Sequence, residues 1–305
     1  MHRPHHYARA GLAALALVAL LPAAAHAQPG IVGKKVDRSP DEVRGYWTAE
    51  RMRDAKPRER VRPDRTRGQK PGASASWSTL AVDWSTAPAI ARTNGKVYLT
   101  DAGVNYVCSG TAVTSANESV VWTAGHCVHG GVGGDFVTNF AFVPAYNSGT
   151  SYPRFVAPAT HVYTTAGWID GEYGRDLGAA VVAPVNGATL TDAIGASRQL
   201  SFTPNTTIGR RVDSYGYPAA GKYSGQQLYQ CDSYISRTDT STSPPTMGIP
   251  CGMTGGSSGG GWIADDSDQL ISVNSYGYQG LKNVMFGSQQ DSVAQSLWNE
   301  AQTTK

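Results

Sequence analysis

Short apolar stretches separated by Gly, Asn, Asp and Pro recur along the chain after residue 75. They are rich in Val, Ile, Thr, Tyr and Trp, and helical periodicity between them is weak. Strands of this length and spacing are typical of an all-β barrel or sandwich. The predicted strands cover residues 95–100, 105–113, 119–124, 136–143, 177–182, 210–216, 227–235, 261–264 and 270–274.

Helical spacing of apolar residues is found only near the two ends of this pattern. Residues 39–53 open with a capping serine and a proline, and Val43 and Trp47 then lie along one face of a single short helix. Residues 288–301 predict an amphipathic helix at the C-terminal end. The loop over residues 186–199 is the predicted joint between two halves of the β region.

The start of the chain has the layout of a secretory signal peptide. Arg3 and Arg9 flank a polar start, an apolar run covers residues 11–25, and a small-x-small cleavage site ends at Ala27. The alternative is a membrane anchor, but about 15 apolar residues are too few to cross about 30 Å of hydrocarbon. The exported form is therefore predicted to begin at Gln28 and to be secreted into an oxidising environment.

Charge divides the rest of the chain into two parts. Residues 28–70 hold 13 Lys or Arg against 7 Asp or Glu, whereas residues 71–305 hold 11 against 16. The basic segment has few apolar residues, so we expect it to bury little area and to be partly disordered. It is either a solvated linker or a pro-segment that covers an acidic enzyme, and the opposite charges favour the pro-segment. The acidic body argues against nucleic acid as a partner.

A glycine-rich loop over residues 251–262 carries two adjacent serines, Ser257 and Ser258. A serine acts as a nucleophile when a base takes its proton and backbone N–H groups bind the oxyanion, and glycines allow the backbone to approach that closely. The alternative is an ordinary surface turn of small residues. The loop therefore indicates a nucleophile only if a histidine and a carboxylate accompany it.

Four of the seven histidines lie within residues 1–27, so the exported protein keeps His126, His129 and His161. His126 directly follows an apolar run and precedes a cysteine that could lock the turn. His161 has the surroundings of a packed or surface histidine. His129 could form a metal pair with His126, but no third ligand has suitable spacing. We therefore expect no metal site and take His126 as the candidate base.

The carboxylate partner of a catalytic histidine should precede a buried strand, where hydrogen bonds hold its charge. Asp176 stands directly before the apolar run of residues 177–182. Asp170 precedes a glycine and has the character of a turn residue, and Asp135 is a further alternative.

Three motifs together resemble the chymotrypsin-like serine peptidases, in particular a secreted bacterial branch with trypsin-like and glutamyl-endopeptidase-like members. They are Thr-Ala-Gly-His-Cys around His126, Asp-Leu-Gly-Ala from Asp176 and Gly-Ser-Ser-Gly-Gly around Ser258, with separations of 50 and 82 residues. The resemblance implies two antiparallel six-stranded β-barrels with a short C-terminal helix. It also selects Ser258 over Ser257 as nucleophile and implies an oxyanion hole from the amides of Gly256 and Ser258.

The order of the motifs excludes a rival fold. An α/β-hydrolase also carries Gly-x-Ser-x-Gly, but its histidine follows the serine, and no histidine follows residue 161. The predicted parts are a signal peptide (1–27), a basic pro-segment (28–75), an N-terminal barrel (76–190) and a C-terminal barrel with the helix (191–305).

The resemblance also bears on specificity and on the cysteines. Family members that cleave after basic residues carry an acid at the position of Gly252, so this preference is unsupported here. The predicted pocket, open and weakly polar, contains Gly252, Met253, Thr254, Ser272, Val273 and Asn274.

Four cysteines allow three pairings. The family favours Cys108 with Cys127, which leaves Cys231 with Cys251.

The sequence thus predicts a secreted serine endopeptidase made as a precursor. Ser258 is the predicted nucleophile, His126 the general base and Asp176 the orienting carboxylate. We expect protein or peptide substrates, a monomer, and no cofactor, metal, membrane or nucleic-acid partner. The alternative from another class is a catalytically silent binding module that has kept the peptidase fold.

Overall fold

The computed structural model of the chain describes residues 1, 30–63, 76–84, 92–148, 155–204 and 206–305. The predicted signal peptide, apart from Met1, and the predicted start at Gln28 lie outside these residues, as does the stretch 64–75 of the basic segment. No helix within the described ranges is both long and apolar enough to span a lipid bilayer.

A closed six-stranded barrel forms the N-terminal half. The first ten strands are β1 (Ile31–Lys35), β2 (Lys56–Pro57), β3 (Val61–Arg62), β4 (Ser78–Ala81), β5 (Asn94–Asp101), β6 (Val104–Val113), β7 (Val120–Thr123), β8 (Thr138–Pro144), β9 (Ala157–Thr165) and β10 (Gly178–Val182). The barrel runs in the order β9-β10-β7-β6-β5-β8 and closes where β8 pairs with β9. Its interior is apolar, with Val97, Leu99 and Trp122 fully buried.

Two five-stranded sheets form the C-terminal half. Its strands are β11 (Arg211–Gly216), β12 (Tyr229–Tyr234), β13 (Arg237–Asp239), β14 (Thr246–Pro250), β15 (Gly261–Ala264), β16 (Leu270–Val273), β17 (Tyr276–Tyr278) and β18 (Leu281–Gly287). One sheet has the order β16-β15-β11-β12-β4 and the other β13-β14-β18-β17-β3. The predicted all-β class is confirmed. Strand β4 belongs to this half because it pairs with β12, although the predicted boundary placed it with the first barrel.

Five α-helices lie in the described ranges: α1 (Pro40–Tyr46), α2 (Ala49–Asp54), α3 (Ala166–Ile169), α4 (Leu190–Ile194) and α5 (Ser292–Thr303). The predicted C-terminal helix is confirmed, but it begins later than predicted because the Asp291 side chain accepts hydrogen bonds from the backbone N–H groups of Val293 and Ala294. Its buried residues Ala294, Leu297 and Ala301 pack on the N-terminal barrel.

The basic segment is ordered as regular structure over residues 30–63. Strand β1 adds antiparallel to β9, and a capping box between Ser39 and Glu42 starts α1. The sequence predicted one helix here, but the structure has two, because the chain leaves helical geometry at Trp47 and Thr48 caps a new helix by accepting from the N–H of Arg51.

The expectation that this segment buries little area was wrong. Val43 is fully buried and Trp47 is 5% exposed. The Trp47 indole donates to the carbonyl of Asn139 at 2.7 Å, and its ring centroid lies 5.3 Å from that of Tyr98. The segment has no core of its own, so its few apolar side chains complete the core of the barrel instead.

The last part of the segment crosses from one half of the molecule to the other. Strand β2 pairs parallel with β6 of the first barrel, and β3 pairs parallel with β17 of the second half. Arg58, Glu59 and Arg60, which connect β2 and β3, therefore span the cleft between the halves.

Candidate active site

His126 lies in the cleft on a 3-10 turn (Gly125–Cys127) directly after β7. Its backbone N–H donates to Asp176 Oδ1 at 2.7 Å, and its Nδ1 lies 2.8 Å from Asp176 Oδ2. Ser275 Oγ donates to the same Oδ2 at 2.5 Å. Three hydrogen bonds thus fix the Asp176 carboxylate, which in turn fixes the imidazole.

Both partners of this pair are completely buried, and their pKa values move accordingly. Burial raises the pKa of Asp176, but the positive charge that His126 carries when protonated, its hydrogen bonds and the bond from Ser275 outweigh it and hold the pKa below its ordinary range. Burial lowers the pKa of His126, the Arg60 and Arg58 charges add to this, and Asp176 opposes it. His126 is therefore neutral at neutral pH, as a proton acceptor must be.

The glycine-rich loop presents its two serines differently. Ser257 Oγ donates back into the loop, to the carbonyl of Thr254 at 2.8 Å. Ser258 Oγ instead faces the cleft. Gly256 has a φ of +95°, a conformation that side-chain-bearing residues rarely adopt, and this turns its N–H towards the cleft as well.

Two contacts bring this loop against the His126–Asp176 pair. The Ser258 carbonyl lies 3.6 Å from Sγ of Cys127, the neighbour of His126. The N–H of Gly259 donates to the carbonyl of Asn274 at 2.7 Å, directly before the Ser275 that contacts Asp176. The three predicted residues His126, Asp176 and Ser258 therefore meet in one cleft although they are far apart in sequence.

A peptide carbonyl of the basic segment occupies this point of the cleft. The Arg58 carbonyl oxygen accepts from the N–H of Gly256 at 2.9 Å and from Ser258 Oγ at 3.2 Å. Nε2 of His126 has no hydrogen-bond partner among the described residues. The Ser258 hydroxyl thus points to the segment and not to the imidazole.

A pocket of about 260 Å³ opens beside Ser258. Gly252, Met253 and Thr254 line it. Ser272, Val273 and Asn274 do not; they are fully buried, and the wall is formed by residues 275–278 and 281–285. The prediction misplaced the wall because the strand turns into the cleft only after Asn274.

Asn274 supports the nucleophile loop from beneath. Its Oδ1 accepts from Ser214 Oγ at 2.7 Å and Trp262 Nε1 at 2.7 Å, and its Nδ2 donates to the carbonyls of Tyr215 and Ser257 at 3.0 and 3.1 Å. Four hydrogen bonds from one buried amide join the loop to the sheet.

The other candidate residues have structural surroundings. Asp170 ends α3 and is exposed, while His161 stacks on Tyr163 with ring centroids 6.3 Å apart. His129 accepts from the N–H of Gly131 at 3.0 Å. Asp135 follows a turn, and its carbonyl accepts from the N–H of Gly130.

The cysteines form the pairs Cys108–Cys127 and Cys231–Cys251. The first bridge fixes the turn that carries His126. Cys108 and Cys127 are also the sulfur neighbours of His126, and because both are in the disulfide neither is a free thiolate that could bind a metal ion.

Sequence reasoning missed two participants. Ser275 contacts Asp176 from 99 positions away, and no local pattern distinguishes it from other serines. The carbonyl of Arg58 carries no side-chain signal at all, and only the path of β2 and β3 reveals it.

Comparison with solved structures gives the family. The fold is similar to the thermostable serine protease AL20 from an extremophilic microorganism, with 41% identity, a TM-score of 0.66 and coverage of 72% of this chain and 100% of that one. It is also similar to the protease Anisep from Arthrobacter nicotinovorans, with 40% identity, a TM-score of 0.65 and coverage of 70% and 96%.

A Glu endopeptidase shares the fold at 20% identity, with a TM-score of 0.59 and coverage of 74% of this chain and 97% of that one. No protein-family model matches the chain. A search among curated proteins also finds no match. The identity to AL20 and Anisep over nearly their whole length, together with the closed barrel and the cleft, shows that this chain belongs to the chymotrypsin-like serine proteases.

Proposed function

We propose that the protein is a secreted serine endopeptidase that forms an acyl-enzyme on Ser258, and that its basic segment keeps the precursor inactive. His126 acts as general base and then general acid, Asp176 orients it, and the N–H groups of Gly256 and Ser258 bind the oxyanion. The observation that carries the proposal is the Arg58 carbonyl, a peptide carbonyl held by the N–H of Gly256 and touched by Ser258 Oγ.

The chemistry follows from these positions. Ser258 Oγ attacks the substrate carbonyl carbon while His126 Nε2 takes the hydroxyl proton, and the carbonyl oxygen becomes an oxyanion facing the Gly256 N–H. When the C–N bond breaks, His126 gives its proton to the leaving amine. Water then attacks the ester, again with His126 as base, and releases the acid and free Ser258.

Asp176 supports each step without changing its own protonation. Its hydrogen bond to Nδ1 fixes the tautomer that leaves Nε2 free to accept a proton, and its charge stabilises the imidazolium that forms. The bond from Ser275 and the low pKa of Asp176 keep this carboxylate ionised.

The precursor form is held inactive by geometry. With residues 58–60 across the cleft, a substrate carbonyl cannot reach Gly256, and the Ser258 hydroxyl is engaged away from His126. Removal of residues 28 to about 75 would free the cleft and leave β4 in its sheet. The chain so shortened is called the processed enzyme below.

The test compares the two adjacent serines. Ser258→Ala should abolish protein hydrolysis by the secreted, processed enzyme, whereas Ser257→Ala is the matched control and should retain most of the rate because its hydroxyl only bonds within the loop. The variants should have the same circular dichroism. A dead Ser257→Ala with an active Ser258→Ala would contradict the assignment. No hydrolysis by any processed form would favour the binding module.

A further inference from the structure

The side chain of Arg62 fills a cage formed by residues of the body. The cage consists of Tyr173, Tyr276, Tyr278 and Asp239, and is called the tyrosine cage here. The central guanidinium carbon lies 4.8, 5.3 and 5.2 Å from the ring centroids of Tyr173, Tyr276 and Tyr278. Nη1 donates to Tyr278 Oη at 2.8 Å and forms an ion pair with Asp239 Oδ2 at 3.3 Å.

Residues of the body supply most of the hydrogen bonds to the carboxylate of this cage. Asp239 is 2% exposed and accepts hydrogen bonds from Tyr276 Oη at 2.6 Å, from Tyr278 Oη, and from the N–H of Ser241 at 2.9 Å. Burial raises the pKa of Asp239, but these hydrogen bonds outweigh it and keep the pKa below its ordinary range. The carboxylate therefore stays charged and oriented without an arginine of the segment.

The cage adjoins the path of a bound peptide. Two of its rings belong to β17, and β17 follows directly on Ser275, which contacts Asp176. The residues of β17 also line the pocket beside Ser258. Arg62 is four residues beyond Arg58, whose carbonyl contacts Ser258 Oγ, so an extended chain along this path would bring a side chain to the cage about four residues from the reacting bond.

We propose that the tyrosine cage of the processed enzyme is a substrate subsite for an arginine side chain. This inference rests on the proposed endopeptidase function and names one of its specificity determinants. Ring faces attract a cation, and a flat guanidinium can stack on them while it donates to a carboxylate, so arginine should bind better than lysine. The body residues that line the pocket beside Ser258 include no carboxylate. A preference for arginine in the substrate would therefore arise from the cage and not from that pocket.

The experiment uses the processed enzyme obtained from the full secreted chain and a peptide that it cuts at one bond. Positions two to five residues to either side of that bond carry, one at a time, arginine, its neutral isostere citrulline, or lysine. We expect one position at which kcat/KM for arginine exceeds that for citrulline by at least about tenfold, with lysine between them.

Variants then assign the effect to the cage. Asp239→Asn should reduce the arginine-to-citrulline ratio to about one. Tyr278→Phe, which keeps the ring and loses one hydroxyl, should reduce the ratio partly. Asp170→Asn, an exposed carboxylate outside the cage, is the matched control and should leave the ratio unchanged.

Two results would overturn the subsite. One is an unmodified enzyme that cuts the peptides but shows no position with a ratio above about twofold, a result that needs no variant to fold. The other is a ratio that Asp239→Asn leaves intact. If no peptide is cut and Ser258→Ala behaves like the unmodified chain, the proposed function itself fails, which is a distinct outcome.

Discussion

Asp176 is a buried carboxylate whose role depends on its hydrogen bond to His126. Asp176→Asn keeps the size of the side chain but no longer selects the tautomer of His126 that leaves Nε2 free. We expect kcat of the processed enzyme to fall by roughly 10⁴ while the fold persists. Steady-state kinetics measures this, with Asp170→Asn as a control. A loss of less than about tenfold would remove Asp176 from the catalytic assignment.

Lys96 is a buried cation of another kind, since no carboxylate among the described residues pairs with it. Its Nζ donates to the carbonyl of Gly225 at 2.9 Å and lies 5.1 and 4.8 Å from the rings of Tyr98 and Tyr146. Burial lowers the pKa of Lys96 to about 8. Below about pH 8, folding must bury the charged ammonium group, which lowers the free energy of unfolding. This free-energy cost shrinks as pH rises from about 8 towards 10.5, where the unfolded chain also loses the proton.

Lys96→Met removes that pH dependence. We expect the substitution to lower the free energy of unfolding by about 2 kcal/mol more at pH 10 than at pH 7. Denaturant unfolding at the two pH values measures it, and Lys222→Met, at an exposed lysine, is the control. Equal effects of Lys96→Met at both pH values would show that Lys96 titrates normally.

Helix α1 is the main apolar attachment of the basic segment. Trp47→Ala would remove a buried ring and the bond to the Asn139 carbonyl, at a cost of about 3 kcal/mol or more in segment binding. A tenfold change corresponds to about 1.4 kcal/mol, so the severed segment should bind about 100-fold more weakly.

The measurement is inhibition of the processed enzyme that remains after the segment is cut within residues 64–75. Arg53→Ala, whose side chain is 68% exposed, is the matched control and should change little. Undiminished inhibition with Trp47→Ala would mean that the cleft contacts of residues 58–62 hold the segment without α1.

Strands β5 to β8, β10 to β12, β15 and β16 were predictable because short runs rich in Val, Ile, Thr and Tyr are bounded by turn residues. The other strands of the two halves, β4, β9, β13, β14, β17 and β18, were not predicted. The triad candidates were predictable because each lies in a distinctive motif beside a strand. Strands β1, β2 and β3 were not predicted, since their apolar residues pair with the body and have no pattern of their own. Ser275 and the tyrosine cage arise from contacts across the sheet, which sequence spacing does not encode.

The segment and the body are joined by specific contacts more than by their opposite net charges. Among the described residues, two ion pairs join them, Arg58 with Asp101 at 2.7 Å and Arg62 with Asp239 at 3.3 Å. The other contacts include strand pairing, the packing of Trp47, the rings around Arg62 and the Arg58 carbonyl in the cleft. The opposite net charges indicated that the segment binds the body, but they did not indicate which contacts hold the two together.

Acid should loosen the segment. Burial lowers the pKa of His126 and of His161, and the segment adds to both shifts, through Arg60 and Arg58 at His126 and Lys35 at His161. Protons therefore bind better when the segment has left, so its affinity falls as pH drops below about 6.5.

The dissociation constant of the severed segment, held on the Ser258→Ala body, should be larger at pH 5 than at pH 8. His126→Gln should remove most of this difference and His161→Gln a smaller share. A dissociation constant that does not change between the two pH values would refute the linkage.

Covalent labelling of Ser258 tests the central claim most directly. A phosphonyl fluoride is attacked at phosphorus by an activated serine and loses fluoride, and peptide mass spectrometry locates the adduct. The processed enzyme should carry one adduct, on Ser258, and the Ser257→Ala variant should react at a similar rate. The full precursor should react far more slowly, because the Ser258 hydroxyl is hydrogen-bonded to the Arg58 carbonyl of the segment. A processed enzyme without an adduct on Ser258, or a precursor that reacts equally fast, would contradict the account.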